Sequence, residues 1–117
     1  MLRTEICDLF GIDHPILLAG MGQVSTPELA AAVSNAGGLG IIETSSGELD
    51  AVKAEIKKMK LLTQKPFGVN IAQAFVNNPD IEQFVIDPGV TFVTTSACST
   101  TRYTDKLKRA GLTVFHV

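Results

Sequence analysis

Residues 14–42, HPILLAGMGQVSTPELAAAVSNAGGLGII, carry a strand, a small-residue loop, a helix and a second strand in succession. The apolar run at 16–19 follows His14-Pro15, where proline biases its neighbour toward extended backbone. Gly20-Met21-Gly22 then forms a turn with little bulk except the methionine. Ser25 and Glu28 fit a capping box, and Pro27 is accepted in the first turn of the helix they open. Leu29, Ala30, Ala32 and Val33 are expected to supply its buried side. Gly37-Gly38 ends it, because glycine takes the left-handed C-terminal conformation at little cost. The apolar run at 39–42 follows at once.

The same grammar extends to the carboxyl end. Apolar runs recur at 67–70, 92–95 and 113–116, separated by segments of helical spacing. One helix begins near Ser46 and Glu48 and repeats Leu49, Val52, Ile56 and Met59 at steps of three and four, with lysines on the other face. A shorter one opens at Asn78-Pro79, presents Ile81, Phe84 and Val85, and ends at Asp87-Pro88-Gly89. The last carries Tyr103, Leu107 and Ala110, gathers Lys106, Lys108 and Arg109 near its carboxyl end, where they suit the macrodipole, and stops at Gly111. Residues before 14 read as a lead-in. The count is about five strands and four helices, an α/β chain with a parallel sheet. Right-handed crossovers leave two architectures, a (β/α)8 barrel or an open doubly wound sheet. Gly20-Met21-Gly22 is followed by Gln23-Val24-Ser25 and so misses the G-x-G-x-x-G fingerprint, which weakens the second.

The chain has 117 residues, 10 basic and 12 acidic, for a formal charge of -2. No broad field favours nucleic acid or an anionic membrane. Lys53, Lys57, Lys58 and Lys60 are interleaved with Glu55, the pattern of a solvated helix face. Cys7 and Cys98 match no metal-ligand or dithiol spacing. No metal site is expected. No apolar run approaches the roughly 20 residues of a membrane span, and the amino terminus lacks the apolar core of a secretory signal. A cytoplasmic protein is the expectation.

In parallel α/β folds the ligand site lies at the strand carboxyl ends. That rule nominates Gly20, Met21 and Gly22, then Asn70 with Gln73, then Thr95 and Ser96, and lastly His116. The glycines would let backbone approach a flat ligand while the Met21 thioether packs on it. The Asn70 carboxamide offers donors and an acceptor in one plane, suited to a heteroaromatic edge, and equally suited to tying down a loop. Thr94, Thr95 and Ser96 form a run of hydroxyls, with Thr95 and Ser96 the pocket candidates. Cys98 has no basic neighbour before Arg102 and reads as a packed thiol. His116 lacks an acidic partner in the sequence, so no catalytic residue is assigned.

Taken as an ordered set, His14-Pro15-Ile16, Ala19-Gly20-Met21-Gly22, the 29–40 segment and Pro66-Phe67-Gly68-Val69-Asn70 resemble the amino-terminal part of the nitronate monooxygenase family. Flavin-dependent enoyl-[acyl-carrier-protein] reductases share these motifs. The likeness runs through Phe92-Val93-Thr94-Thr95-Ser96 to Val114-Phe115-His116-Val117. It departs at Cys98, where many relatives have glycine. The resemblance implies an FMN-binding TIM barrel, of which residues 1–117 are the amino-terminal portion. It places Gly20-Met21-Gly22 against the flavin and has Asn70 hydrogen-bond it. It also implies oxidation of alkyl nitronates with O2, with an FMN-dependent enoyl-thioester reductase or a non-catalytic truncated fragment as alternatives. A (β/α)8 barrel needs about 200 residues or more, and the family's catalytic histidine and phosphate loops lie beyond the fifth strand. This chain alone is therefore expected to be inactive and to self-associate through exposed strand edges.

Overall fold

The strand and helix alternation is present in a computed structural model of the chain, which describes residues 2–44, 48–74, 80–87, 89–97 and 99–117. Among these residues the order is α1 (Glu5–Phe10), α2 (Pro27–Asn35), β1 (Gly40–Glu43), α3 (Leu49–Leu62), β2 (Phe67–Ala72), α4 (Ile81–Val85), β3 (Val90–Ser96), α5 (Thr104–Arg109) and β4 (Thr113–His116). The four strands are parallel and adjacent in chain order. An irregularity between Phe67 and Gly68 leaves Thr91 unmatched on β3. The α/β class read from the sequence is the class observed.

Strand pleating sorts residues by face. Glu43, Asn70, Thr94 and Phe115 share one row of the register, and Ile41, Gly68, Phe92 and Thr113 another. These rows form the inner face. Ile42, Val69, Ile71 and Val93 point the other way and pack with Ala30, Val52, Ile56, Met59, Ile81, Val85 and Leu107 of the helices. The lead-in covers the inner face at its amino-terminal end. Its Cys7, Phe10 and Ile12 pack on Leu39, Ile41 and Phe92, and the Phe10, Phe92 and Phe115 rings meet at centroid distances of 4.6 to 5.8 Å. This segment, read as an irregular lead-in, contains a six-residue helix closed by Gly11 at φ 65°.

Several local expectations change. The run at 16–19 makes a single parallel bridge, Leu17 beside Leu39, in place of a strand. Leu39 N–H donates to Ile16 O and Leu18 N–H to Leu39 O. The ladder then stops: Ser25 Oγ donates to the Ala19 carbonyl at 2.6 Å, and Gly20 lies against Asn70 of β2. The cap of α2 is Thr26, whose side chain accepts from Leu29 N–H, and Ser25 stands outside the helix. The buried face of α2 is Pro27, Ala30, Ala31 and Ser34, while Leu29 and Ala32 are exposed. The helix is turned this way by its close approach to β1. A side chain at Gly40 would run into the Ala30 carbonyl, and Ser34 Oγ accepts from Gly40 N–H and donates to Pro66 O.

Other elements follow the sequence. Val52, Ile56 and Met59 of α3 are buried and its lysines exposed. Lys58 pairs with Glu28 of α2 and Lys60 with Asp87. The C-terminus of α2 is a Schellman motif: Gly37 N–H reaches Ser34 O and Gly38 N–H reaches Val33 O, with Gly37 at φ 94°. Tyr103 and Leu107 are buried, whereas Ala110 is exposed. The expectations at Ser46, Asn78, Pro79, Pro88 and Cys98 lie outside the described residues, as does the Phe84 side chain. Among the described residues, no helix is long and apolar enough to cross a membrane.

Candidate functional site

The loop after residue 19 is held by one buried hydroxyl. Ser25 Oγ donates to Ala19 O at 2.6 Å and accepts from Met21 N–H at 3.0 Å, closing the loop on itself. Backbone bonds from Val24 and Ser25 N–H to Met21 O complete the turn. Gln23 adopts φ 61°, and its N–H reaches Glu43 Oε1 at 3.3 Å. The loop rests directly on β2, where a Cβ at position 20 would come within 2.6 Å of Asn70 Cγ and 2.9 Å of Nδ2. No L-residue but glycine admits that approach.

Asn70 is 5% exposed at the carboxyl half of β2. Its Oδ1 accepts from Thr94 Oγ1 at 2.7 Å and from Ser96 Oγ at 3.4 Å. Its backbone carbonyl accepts from Thr44 Oγ1 at 2.8 Å. Nδ2 makes no hydrogen bond among the described residues. The amide is thus anchored by its oxygen and offers its two N–H donors at the site.

Two adjoining cavities flank this amide and share Gly20, Asn70 and Ser96 in their walls. The larger, about 510 Å3, is lined by Leu17, Ile41, Phe92, Thr94, Phe115 and His116 among others. The smaller, about 380 Å3, adds Gly22, Glu43, Ala72 and Ala97. Their apolar walls and few convergent polar groups suit a planar organic ligand, and the volumes fall in the range of cofactor sites, roughly 300–1,000 Å3. Ala97 sits at φ 61°, so the two non-glycine residues with positive φ among the described residues, Gln23 and Ala97, border this end of the sheet. A further cavity lies on the outer surface between α3 and α4, lined by Lys53, Lys57, Lys60 and Asp87, remote from the strand ends.

Of the residues nominated from the sequence, Gly20, Gly22, Asn70, Ser96 and His116 come together around the two cavities. Met21 is exposed and outside both walls. Gln73 is buried: its N–H donates to Ser96 O and its Nε2 to Ser99 O, each at 3.0 Å, while Oε1 has no partner among the described residues. Thr95 points to the helix side, where its hydroxyl bonds His116 Nδ1 at 2.9 Å. Thr94 holds the place in the cleft nominated for Thr95. Glu43, Thr94 and Ser25 were not nominated as site residues from the sequence. The parity of β3 relative to Asn70 is the signal that would have found Thr94. Among the described residues, no three His, Cys, Asp or Glu side chains gather as metal ligands.

The family model for nitronate monooxygenase matches residues 3–88. The chain belongs to the nitronate monooxygenase family. Within it, the chain is 52% identical over 63 residues to nitronate monooxygenase of Pseudomonas aeruginosa, 54% of this chain and 18% of that protein. It is 39% identical over 113 residues to (3aS,4S,5R,7aS)-5-hydroxy-7a-methyl-1-oxo-octahydro-1H-indene-4-carboxyl-CoA dehydrogenase of Mycobacterium tuberculosis, covering 97% of this chain and 32% of the relative. The structure of FabK from Thermotoga maritima superposes with a TM-score of 0.93 at 41% identity, over 99% of this chain and 37% of that one. The fold is thus part of a TIM barrel, and these relatives are oxidoreductases or, for FabK, a structural neighbour. The chain spans about a third of the length of the dehydrogenase relative.

Proposed function

We propose that this chain forms the front part of the FMN site in an oxidoreductase of the nitronate monooxygenase type, which oxidises alkyl nitronates with O2. The observation that carries this reading is the Asn70 amide, held by Thr94 and laid bare by Gly20, beside a cleft of flavin-compatible size. Asn70 would hold the isoalloxazine edge, the Gly20 to Gly22 backbone would cover one face, and Ser96 would add a hydroxyl at the rim. Bound FMN supplies the electron-transfer chemistry, while the protein positions it and excludes competing reactions. The cleft walls keep solvent from one side of the ring site through Leu17, Phe92 and Phe115. By itself the chain is expected to bind flavin without turning over substrate.

Titration of FMN with the purified chain tests this reading by fluorescence quenching. Saturable quenching, weakened roughly tenfold in Asn70→Ala as for loss of a hydrogen bond at the upper end of its usual contribution, is the expected result. Absence of quenching, or equal quenching by the variant, sinks it.

A second reading, action on an acyl thioester, is supported by two observations. The family-model match ends at residue 88, whereas the relative named for a carboxyl-CoA substrate is matched over 97% of the chain. In addition, Glu43 is the one side-chain carboxylate among the described residues lining either cavity, and a carboxylate there opposes an anionic nitronate more than a neutral acyl group. Difference spectra of the FMN-loaded chain with an alkyl nitronate and with an enoyl-CoA separate the two: the ligand that perturbs the flavin band is the one accepted.

A further inference from the structure

Resting on the flavin-site reading, we infer that Thr94 is a positioning residue that locks the Asn70 carboxamide in one of its two orientations, so that the cleft presents a hydrogen-bond donor and selects an acceptor atom on the ligand. A carboxamide has nearly the same shape in both orientations, and only its hydrogen-bond partners distinguish them. Here one partner is decisive. Asn70 and Thr94 are opposite each other in the β2–β3 register, on the inner face, and both are buried. The Thr94 hydroxyl carries a single proton and places it on Asn70 Oδ1 at 2.7 Å. Ser96, one strand repeat further, approaches the same oxygen at 3.4 Å. Both hydroxyls therefore converge on Oδ1, and Nδ2 is left on the side where Gly20 has no side chain to cover it.

The arrangement has a consequence for ligand chemistry. A flipped amide would turn its NH2 toward two hydroxyls, which can accept it, but the buried Thr94 proton would then lose the acceptor it has in Oδ1. The amide oxygen would face the cleft, inviting a ligand N–H. With the oxygen held, the site favours a ring nitrogen lone pair or a carbonyl oxygen, both of which an oxidised isoalloxazine edge provides. The preference is set by a threonine that need not touch the ligand through its hydroxyl. Threonine also suits the place physically: it is stiff at χ1 and at home in a strand, so the hydroxyl direction is fixed at little entropic expense.

Thr94→Val and Thr94→Ser test the inference in the 117-residue chain, each also combined with Asn70→Ala. Valine keeps the shape and removes the proton; serine keeps the proton. Free FMN is the probe. Expected are a three- to tenfold weaker FMN affinity for Thr94→Val, the range of one lost hydrogen bond, near-wild-type affinity for Thr94→Ser, and no further loss when Thr94→Val is added to Asn70→Ala. Equal loss in valine and serine variants, or an undiminished valine effect in the Asn70→Ala background, would overturn the role and leave Thr94 as packing. Unchanged binding in Thr94→Val with a clear Asn70→Ala effect would do the same while leaving the flavin site intact.

A flavin-free readout separates failure of this inference from failure of the site. In a 1H–15N spectrum the Asn70 side-chain NH2 pair should be sharp in the wild type and in Thr94→Ser, and shifted or exchange-broadened in Thr94→Val. If no variant binds FMN, the flavin reading falls and this spectrum alone decides the amide lock: an unchanged pair in Thr94→Val overturns it. Thermal unfolding of each variant confirms that the comparison is made on folded protein.

Discussion

A single hydroxyl, that of Ser25, governs the shape of the loop over Asn70. It donates to Ala19 O and accepts from Met21 N–H, closing the loop on itself, while Gln23 N–H ties the loop to Glu43. Ser25→Ala leaves both groups to find water or go unpaired. The expected destabilisation is about 1–2 kcal/mol by urea unfolding, the scale of one or two net hydrogen bonds in a buried setting. The Met21 amide should lose hydrogen-exchange protection selectively, and equal protection in the variant would refute this role. Sequence reasoning saw Ser25 as a helix cap because serine three residues before a glutamate fits that motif. Thr26 follows immediately and is equally competent, so local chemistry could not choose between them. Thr95 shows the same limit. A run of three hydroxyls is visible in the sequence, but which of them faces the cleft depends on strand parity, and one residue of register reverses it.

Among the elements, α3 carries the clearest electrostatic conflict. Burial raises the Glu55 pKa, and the nearby Glu43 and Glu28 carboxylates raise it further. Because the folded value lies above the unfolded one, the stability linked to Glu55 is complete below the unfolded pKa and is lost as pH rises through the folded value. At neutral pH the charged side chain is therefore a burden. Glu55→Gln should raise the urea midpoint at pH about 7 and lose that advantage near pH 4, close to the ordinary glutamate value; an equal midpoint at neutral pH would show that solvent screens the effect. Asp87 behaves oppositely. Burial pushes its pKa up, but the Lys60 hydrogen bond, Gly89 N–H and the Lys60 charge more than offset this and hold it low. Its contribution is present above the ordinary aspartate range and is lost as pH falls through the lowered value. Helix α3 was legible from its three-and-four spacing because solvent wets one whole side of it. Helix α1 was not, since six residues offer too few turns for a period. Its signals, two acids in the first turn and Gly11 at the end, are short-range ones that also occur in irregular segments.

For the molecule as a whole, the sheet has two ends. On one side β1 is met only by the Leu17 bridge, and on the other β4 has no further strand among the described residues. Apolar side chains crowd these margins: Ile16 is 63% exposed and Val117 81%. Unpaired strand edges of this kind recruit other chains. The 117-residue chain is expected to sediment with concentration-dependent mass, and Val117→Lys should reduce the association. A single monomeric species across the concentration range would contradict this.

Local pattern was enough to read the α/β class, the positions of β1 through β4 to within a few residues, the buried face of α3, and Asn70 in the carboxyl half of a strand. Each of these rests on local pattern: apolar period, glycine and proline punctuation, and a polar residue ending an apolar run. Packing and register settled the rest: the run at 16–19 gives up its ladder, α2 buries Ala31 and Ser34, α1 closes the inner face, and Thr94, not Thr95, meets Asn70. These depend on how closely two backbones approach and on the register between strands remote in sequence, which no window of residues encodes.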